Sequence, residues 1–167
     1  MTIDTRIFQA LLCEDASALR MLLNMRTTEG TLREAILIPP TRELLRAFDA
    51  YHTADGHSVL SVGARALAKH CKRSKKGWWG KSRGSELKKN ECSRNLAIRM
   101  IRDAVWINIH GLPHEVSVLE MRVEEGYGLR WAVRFSRQSQ WTCIVEQFRG
   151  FLEPPMSDGH EKGWCHS

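Results

Sequence analysis

Apolar positions recur at helical spacing over residues 4–26, where Ile7, Phe8, Leu11, Leu12, Leu19, Leu22 and Leu23 share a face. Asp15 divides this stretch by offering a cap to a second helix. Thr28 to Gly30 reads as a turn, and Leu32 to Ile38 is a short apolar run open to either strand or helix. Pro39-Pro40 ends that run, and Thr41 is placed to cap a helix through Phe48. Ala54-Asp-Gly56 is a loop and the expected boundary between a helical segment, 1–55, and a second unit, 57–167. In the second unit Val62, Ala66, Leu67 and His70 suit one face of a helix over about 59–71. Lys72 to Gly84 is a polar loop, after which Ser85 caps a long helix through about Ala104. The period then shortens. Val105–His110, Val116–Val123, Leu129–Ser136 and Trp141–Leu152 are β-rich runs separated by turn residues. Helices first and strands later predict an α+β fold, with helices packed on an antiparallel sheet that can curl into a barrel.

Composition narrows this picture. A chain of 167 residues with 43% hydrophobic content can bury a core and suits about one domain. No apolar run reaches the roughly 18 residues of a membrane span, and the N-terminus lacks a signal-peptide pattern. The expectation is an intracellular protein, cytoplasmic or nuclear, with no membrane partner. Five cysteines with no C-x-x-C pair predict neither a disulfide framework nor a metal site, and no motif calls for a cofactor.

Charge changes the picture more. The net charge of +6 is unevenly placed. Arg65 to Arg102 holds thirteen Lys/Arg against two Asp/Glu, while the rest of the chain holds twelve basic and seventeen acidic residues. A basic stretch on a mildly acidic body favours a polyanion, and RNA is the expected partner. Within the stretch, Lys69, Arg73, Lys88 and Lys89 are placed to meet phosphates, and Trp78-Trp79, between glycines in a lysine-rich loop, to stack on a base. Lys72-Arg-Ser-Lys-Lys76 also has the composition of a nuclear import signal.

Further along, strand alternation puts Trp106, Asn108 and His110 on one face. Glu120 and Arg122 share a face and can pair, leaving Arg122 able to present its planar fork to a phosphate. Tyr127, Arg130 and Trp131 follow and complete an aromatic, cationic surface of base size. The final stretch offers Glu153, Asp158, His160, Trp164 and His166, where carboxylates near histidines have the composition of a general base. No nucleophile motif or phosphate loop accompanies them, so this reading leans toward binding rather than catalysis. The alternatives are an enzyme acting on a nucleotide or modified nucleoside through Glu120, Glu153, His110 or His160, and a protein-interaction module anchored by Trp78 and Trp79.

Several of these segments together resemble a eukaryotic family labelled RNA-binding ASCH domain protein. They are Val59–His70, Trp79-Gly80, Asn90, Trp106–His110, Glu120–Arg122, Gly126–Trp131, Phe148–Pro154, Asp158–His160 and Gly163–His166. The resemblance covers about 57–167 and implies a PUA-like β-barrel and RNA binding. The ASCH signature runs Gly-x-Lys-x-x-Glu-x-Arg. Aligned on Glu120 and Arg122, this chain has Glu115 at the glycine position and Ser117 at the lysine position. Some ASCH proteins resemble amidohydrolases that depend on that lysine, so the resemblance implies binding more than that chemistry. The join from Phe135 to Gln147 is longer than the family's turn, which predicts either an extended hairpin or an insertion near the site.

Overall fold

A computed structural model of the chain describes residues 25, 30–32, 38–51, 59–73, 77–136 and 139–155. Among them are three helices, α1 Thr41–Asp49, α2 Val62–Arg73 and α3 Glu86–Arg102, followed by four strands. The strands are β1 Trp106–Leu112, β2 Val116–Arg122, β3 Gly128–Ser136 and β4 Ser139–Leu152. They pair in chain order as an open antiparallel meander, so the fold is α+β. The helix expected over 4–26 and the loop expected at Ala54–Gly56 lie outside the described residues, apart from Met25, which is buried in the core.

Local chemistry explains the helix starts. The Ser85 hydroxyl accepts from the Lys88 amide at 3.3 Å and caps α3 as its position predicts. Ser61 does the same for α2 through the Ala64 amide at 3.1 Å. At α1 the expectation fails: Pro40, at φ −60° and ψ 147°, occupies the cap position, and Thr41 is the first helical residue. Proline needs no amide partner there, and its ring already holds the backbone angle that leads into a helix. Asn90 of α3 ties α2 in place, accepting from the Ser61 amide and donating to the Val59 carbonyl.

The helices cover one face of the sheet. Leu119 lies between Ile109 and Trp131 across the strands, and Met121 lies opposite Leu129, so alternation gives these residues a common face. Trp131 is wholly buried, and its indole N–H donates to the Leu44 carbonyl of α1 at 3.1 Å. Phe48, also wholly buried, sits 4.7 Å from the Phe148 ring and 6.0 Å from Phe151. Helix α1, on the N-terminal side of the expected boundary, therefore packs into the same core as the sheet. Gly30 and Leu32 bond to the outer edge of β1, which leaves that edge partly capped.

The long join between the two last motifs is an extended hairpin through its described residues. Phe135 pairs with Cys143 and Ser136 with Ser139, with register shifts along the ladder. The extra residues lengthen β3 and β4, and buried Val145 belongs to the core.

Candidate functional site: a buried carboxylate among two arginines and a histidine

The opposite face of the sheet is polar. Glu120 lies at its centre, directly across from Asn108 on β1 and Arg130 on β3, with Arg122 two residues along the same strand. Register alone brings these side chains together, because directly opposed strand residues have neighbouring Cβ atoms. Glu120 is 4% exposed and accepts from every cationic neighbour. Arg122 donates through Nε at 2.7 Å, and Arg130 through Nε at 3.1 Å and Nη2 at 2.8 Å. His110 Nε2 lies 3.3 Å from the same carboxylate.

Burial pushes the Glu120 carboxyl up, but the His110 hydrogen bond and the charges of Arg122 and Arg130 outweigh it and hold it at about 2. One carboxylate against two guanidiniums leaves the cluster net positive at neutral pH. Arg130 keeps Nη1 without a protein partner among the described residues. Asn108 is fully buried and bonded to the Thr31 side chain, so its role is to fasten the segment at the sheet edge.

Arg122 links this cluster to a second one. Its Nη1 donates to the carbonyls of Gly126 and Glu153. Gly126 turns the chain at φ +86°, and a Cβ there would sit 3.1 Å from Pro154, so the turn and the end of β4 close on the arginine. The Glu153 carboxylate accepts the Trp79 indole N–H at 2.6 Å and lies 3.1 Å from His70 Nδ1. His70, on α2, packs its ring against Trp79 and Phe151. Two histidine–carboxylate pairs are thus joined through one arginine.

Of the expected site residues, the structure brings His110, Glu120, Arg122, Arg130 and Glu153 into this network. The aromatic residues take other roles. Trp131 is core beneath the sheet, and Trp79 is 4% exposed, enclosed by His70, Tyr127 and Phe151. Trp78 is half-buried and stacks on buried Tyr127 at 4.0 Å and 11°. The expected base platform is instead an internal aromatic cluster, because the indole N–H of Trp79 finds an inward partner in Glu153 and the glycines at 77 and 80 fold the loop back. The same burial removes Trp78 and Trp79 as an exposed protein-docking anchor. Lys69 is exposed on α2, exposed Lys88 pairs with Glu91 at 2.8 Å, and Lys89 is half-buried in the first turn of α3. The side chain of Arg73 and residues Asp158, His160, Trp164 and His166 lie outside the described residues. Sequence reasoning missed His70, which has the spacing of a core-facing helical residue and meets Glu153 across 83 positions.

One family model, described as the CdiA C-terminal tRNase toxin domain, matches residues 51–153. The match spans α2, α3, the whole sheet and every member of the network above. It is a different family from the ASCH proteins that the motifs resemble. No curated protein and no solved structure matches the chain.

Proposed function

We propose that this chain, which belongs to the CdiA C-terminal tRNase toxin domain family, is a ribonuclease that cleaves tRNA at the His110–Glu120–Arg122–Arg130 cluster. The observation that carries the reading is the net-positive cluster around one carboxylate, ionised at neutral pH, beside a histidine. Cutting RNA needs a group to take the proton of the 2′ hydroxyl, positive charge for the phosphoryl oxygens, and a proton for the departing oxygen. The ribose 2′ hydroxyl is the feature that separates RNA from DNA.

The first two parts have residues suited to them. With its carboxyl held at about 2, Glu120 is a poor base at neutral pH and an effective anchor. It orients the His110 ring and both arginines, as a carboxylate orients a catalytic imidazole. His110 takes the 2′ proton as the 2′ oxygen attacks phosphorus. Arg130, with Nη1 still to place, meets the charge that builds on the phosphoryl oxygens. Arg122 is a positioning residue, spent on Glu120 and on the Gly126 and Glu153 carbonyls. The bond from phosphorus to the 5′ oxygen breaks, a 2′,3′-cyclic phosphate remains, and the 5′ oxygen takes a proton. Water supplies that proton, because His70 and Glu153 lie on the helix-covered side of the sheet and His110 on the other.

Single-turnover cleavage of tRNA by the full chain tests the assignment. His110→Ala should slow cleavage by about a hundredfold or more. Full activity in His110→Ala would reject this site.

A further inference from the structure

The basic stretch that the sequence singled out forms a cavity separate from the Glu120 cluster. It is about 250 Å³ in volume, and its wall includes Cys71 and Lys72 from α2, Lys81, Ser82 and Arg83 from the loop, and Lys89 from α3. Among the described residues, no carboxylate lines it. Among the described residues, none of its four cations is in an ion pair, although Lys88 and Arg94 on the same helix α3 each find an acidic partner. Four like charges facing one cavity repel one another, and an anion offsets that repulsion.

The cavity's construction favours a small anionic group. Its volume lies somewhat below the roughly 300–1,000 Å³ of pockets that enclose drug-sized ligands. At about 30 Å³ per water, it holds a phosphate with part of its hydration shell. Ser82 adds a hydroxyl donor, and burial pushes the Cys71 thiol up, away from the charged thiolate that would oppose an anion. The backbone is shaped for it: Gly77 and Gly80 close a turn through the Gly80 amide and Gly77 carbonyl at 3.0 Å, both with positive φ, and deliver Lys81 to the rim. The wall is also tied to the proposed active site. The Cys71 thiol bonds to the Trp79 carbonyl at 3.5 Å, and the Trp79 indole bonds to Glu153.

We infer that this cavity is a phosphate subsite that grips the RNA backbone away from the scissile bond, with Lys72, Lys81, Arg83 and Lys89 as its cations. The inference rests on the ribonuclease reading for its choice of RNA over a free anion. It accounts for the local concentration of positive charge without any base-stacking role for the buried tryptophans. Strand grip at a distance from the reacting phosphate also supplies binding energy that a dinucleotide could not use.

The test is equilibrium binding of a single-stranded 2′-deoxy oligonucleotide of about ten nucleotides, which lacks the attacking hydroxyl and spans a usual single-strand site. Fluorescence anisotropy across a salt series compares the natural chain with the triple variant Lys81→Gln, Arg83→Gln, Lys89→Gln. Loss of three phosphate contacts should lower affinity by about tenfold and flatten the logarithmic salt slope by about two. The charge-keeping variant Lys81→Arg with Arg83→Lys should retain both affinity and slope. Circular dichroism melts of all variants establish that the chains are folded. Unchanged affinity and slope in the triple variant overturn the subsite, as does equal loss in the charge-keeping variant. Calorimetry with inorganic phosphate separates the sources: heat abolished in the triple variant while oligonucleotide binding persists would make this a free-anion site and overturn the proposal. Cleavage failing while the oligonucleotide result holds removes the ribonuclease and leaves the subsite. Cleavage holding while the oligonucleotide result fails does the reverse.

Discussion

Replacing Glu120 by glutamine keeps the side chain's shape and removes its charge, so it isolates what that charge contributes. In the natural chain the carboxyl is held from its ordinary value of 4.5 down to about 2. A depression of that size corresponds to about 3 kcal/mol of folding free energy at neutral pH. Glu120 is 4% exposed, so solvent screening takes little from this figure. An independent route agrees, since removing one partner of a buried ion pair typically costs about 3–5 kcal/mol. The variant leaves Arg122, Arg130 and His110 crowded without a counter-charge. Because the folded carboxyl is depressed, its stabilisation is fully present above 4.5 and is lost as pH falls toward 2. Urea denaturation of natural and variant chains should therefore show a gap of about 3 kcal/mol at neutral pH that narrows steadily below about pH 4.5. The melting temperature at neutral pH should fall by roughly 6–12 °C. A gap below about 1 kcal/mol, or one that stays constant down to about pH 3, would refute the assignment of Glu120 as the buried ionic centre.

Trp79→Phe should destabilise the chain by about 1 kcal/mol, because it removes the indole donor to the Glu153 side chain, and urea titration checks this. Gly63→Ala drives a Cβ into the Phe48 ring, which is wholly buried. It should cost about 1–3 kcal/mol in the same assay, although alanine is the better helix former. Cys92 is exposed and Cys143 is buried with its thiol pushed up to about 11. Mass spectrometry after brief alkylation should find Cys92 modified and Cys143 protected until the chain unfolds.

Much of the framework was legible in the sequence because local rules and burial agree there. Ser85 caps α3 as expected, and the strand boundaries follow the switch from helical to alternating periodicity. The Glu120–Arg122 pair and the shared face of Asn108 and His110 were legible too, since both depend only on alternation along a strand. The side-chain partners were less so. Trp78, Trp79 and Trp131 sit among lysines and arginines in sequence, yet their burial is decided by Glu153, Tyr127 and Leu44, which come from distant elements. His70 escaped notice for the same reason: a histidine on a helix face gives no local sign of a carboxylate at the far end of the sheet. The basic stretch was visible as charge. Its division into solvated lysines and a lined cavity depends on the turn at Gly77–Gly80 and on how α2 and α3 pack.

The central claim is that the His110–Glu120–Arg122–Arg130 cluster cuts RNA. Its most direct test is to incubate the full chain with purified tRNA and map the ends of any fragments. The fragments should carry 2′,3′-cyclic phosphate ends and free 5′ hydroxyls, and should be absent when His110→Ala replaces the natural chain. Intact tRNA under all conditions, or the same fragments from the His110→Ala chain, would contradict it.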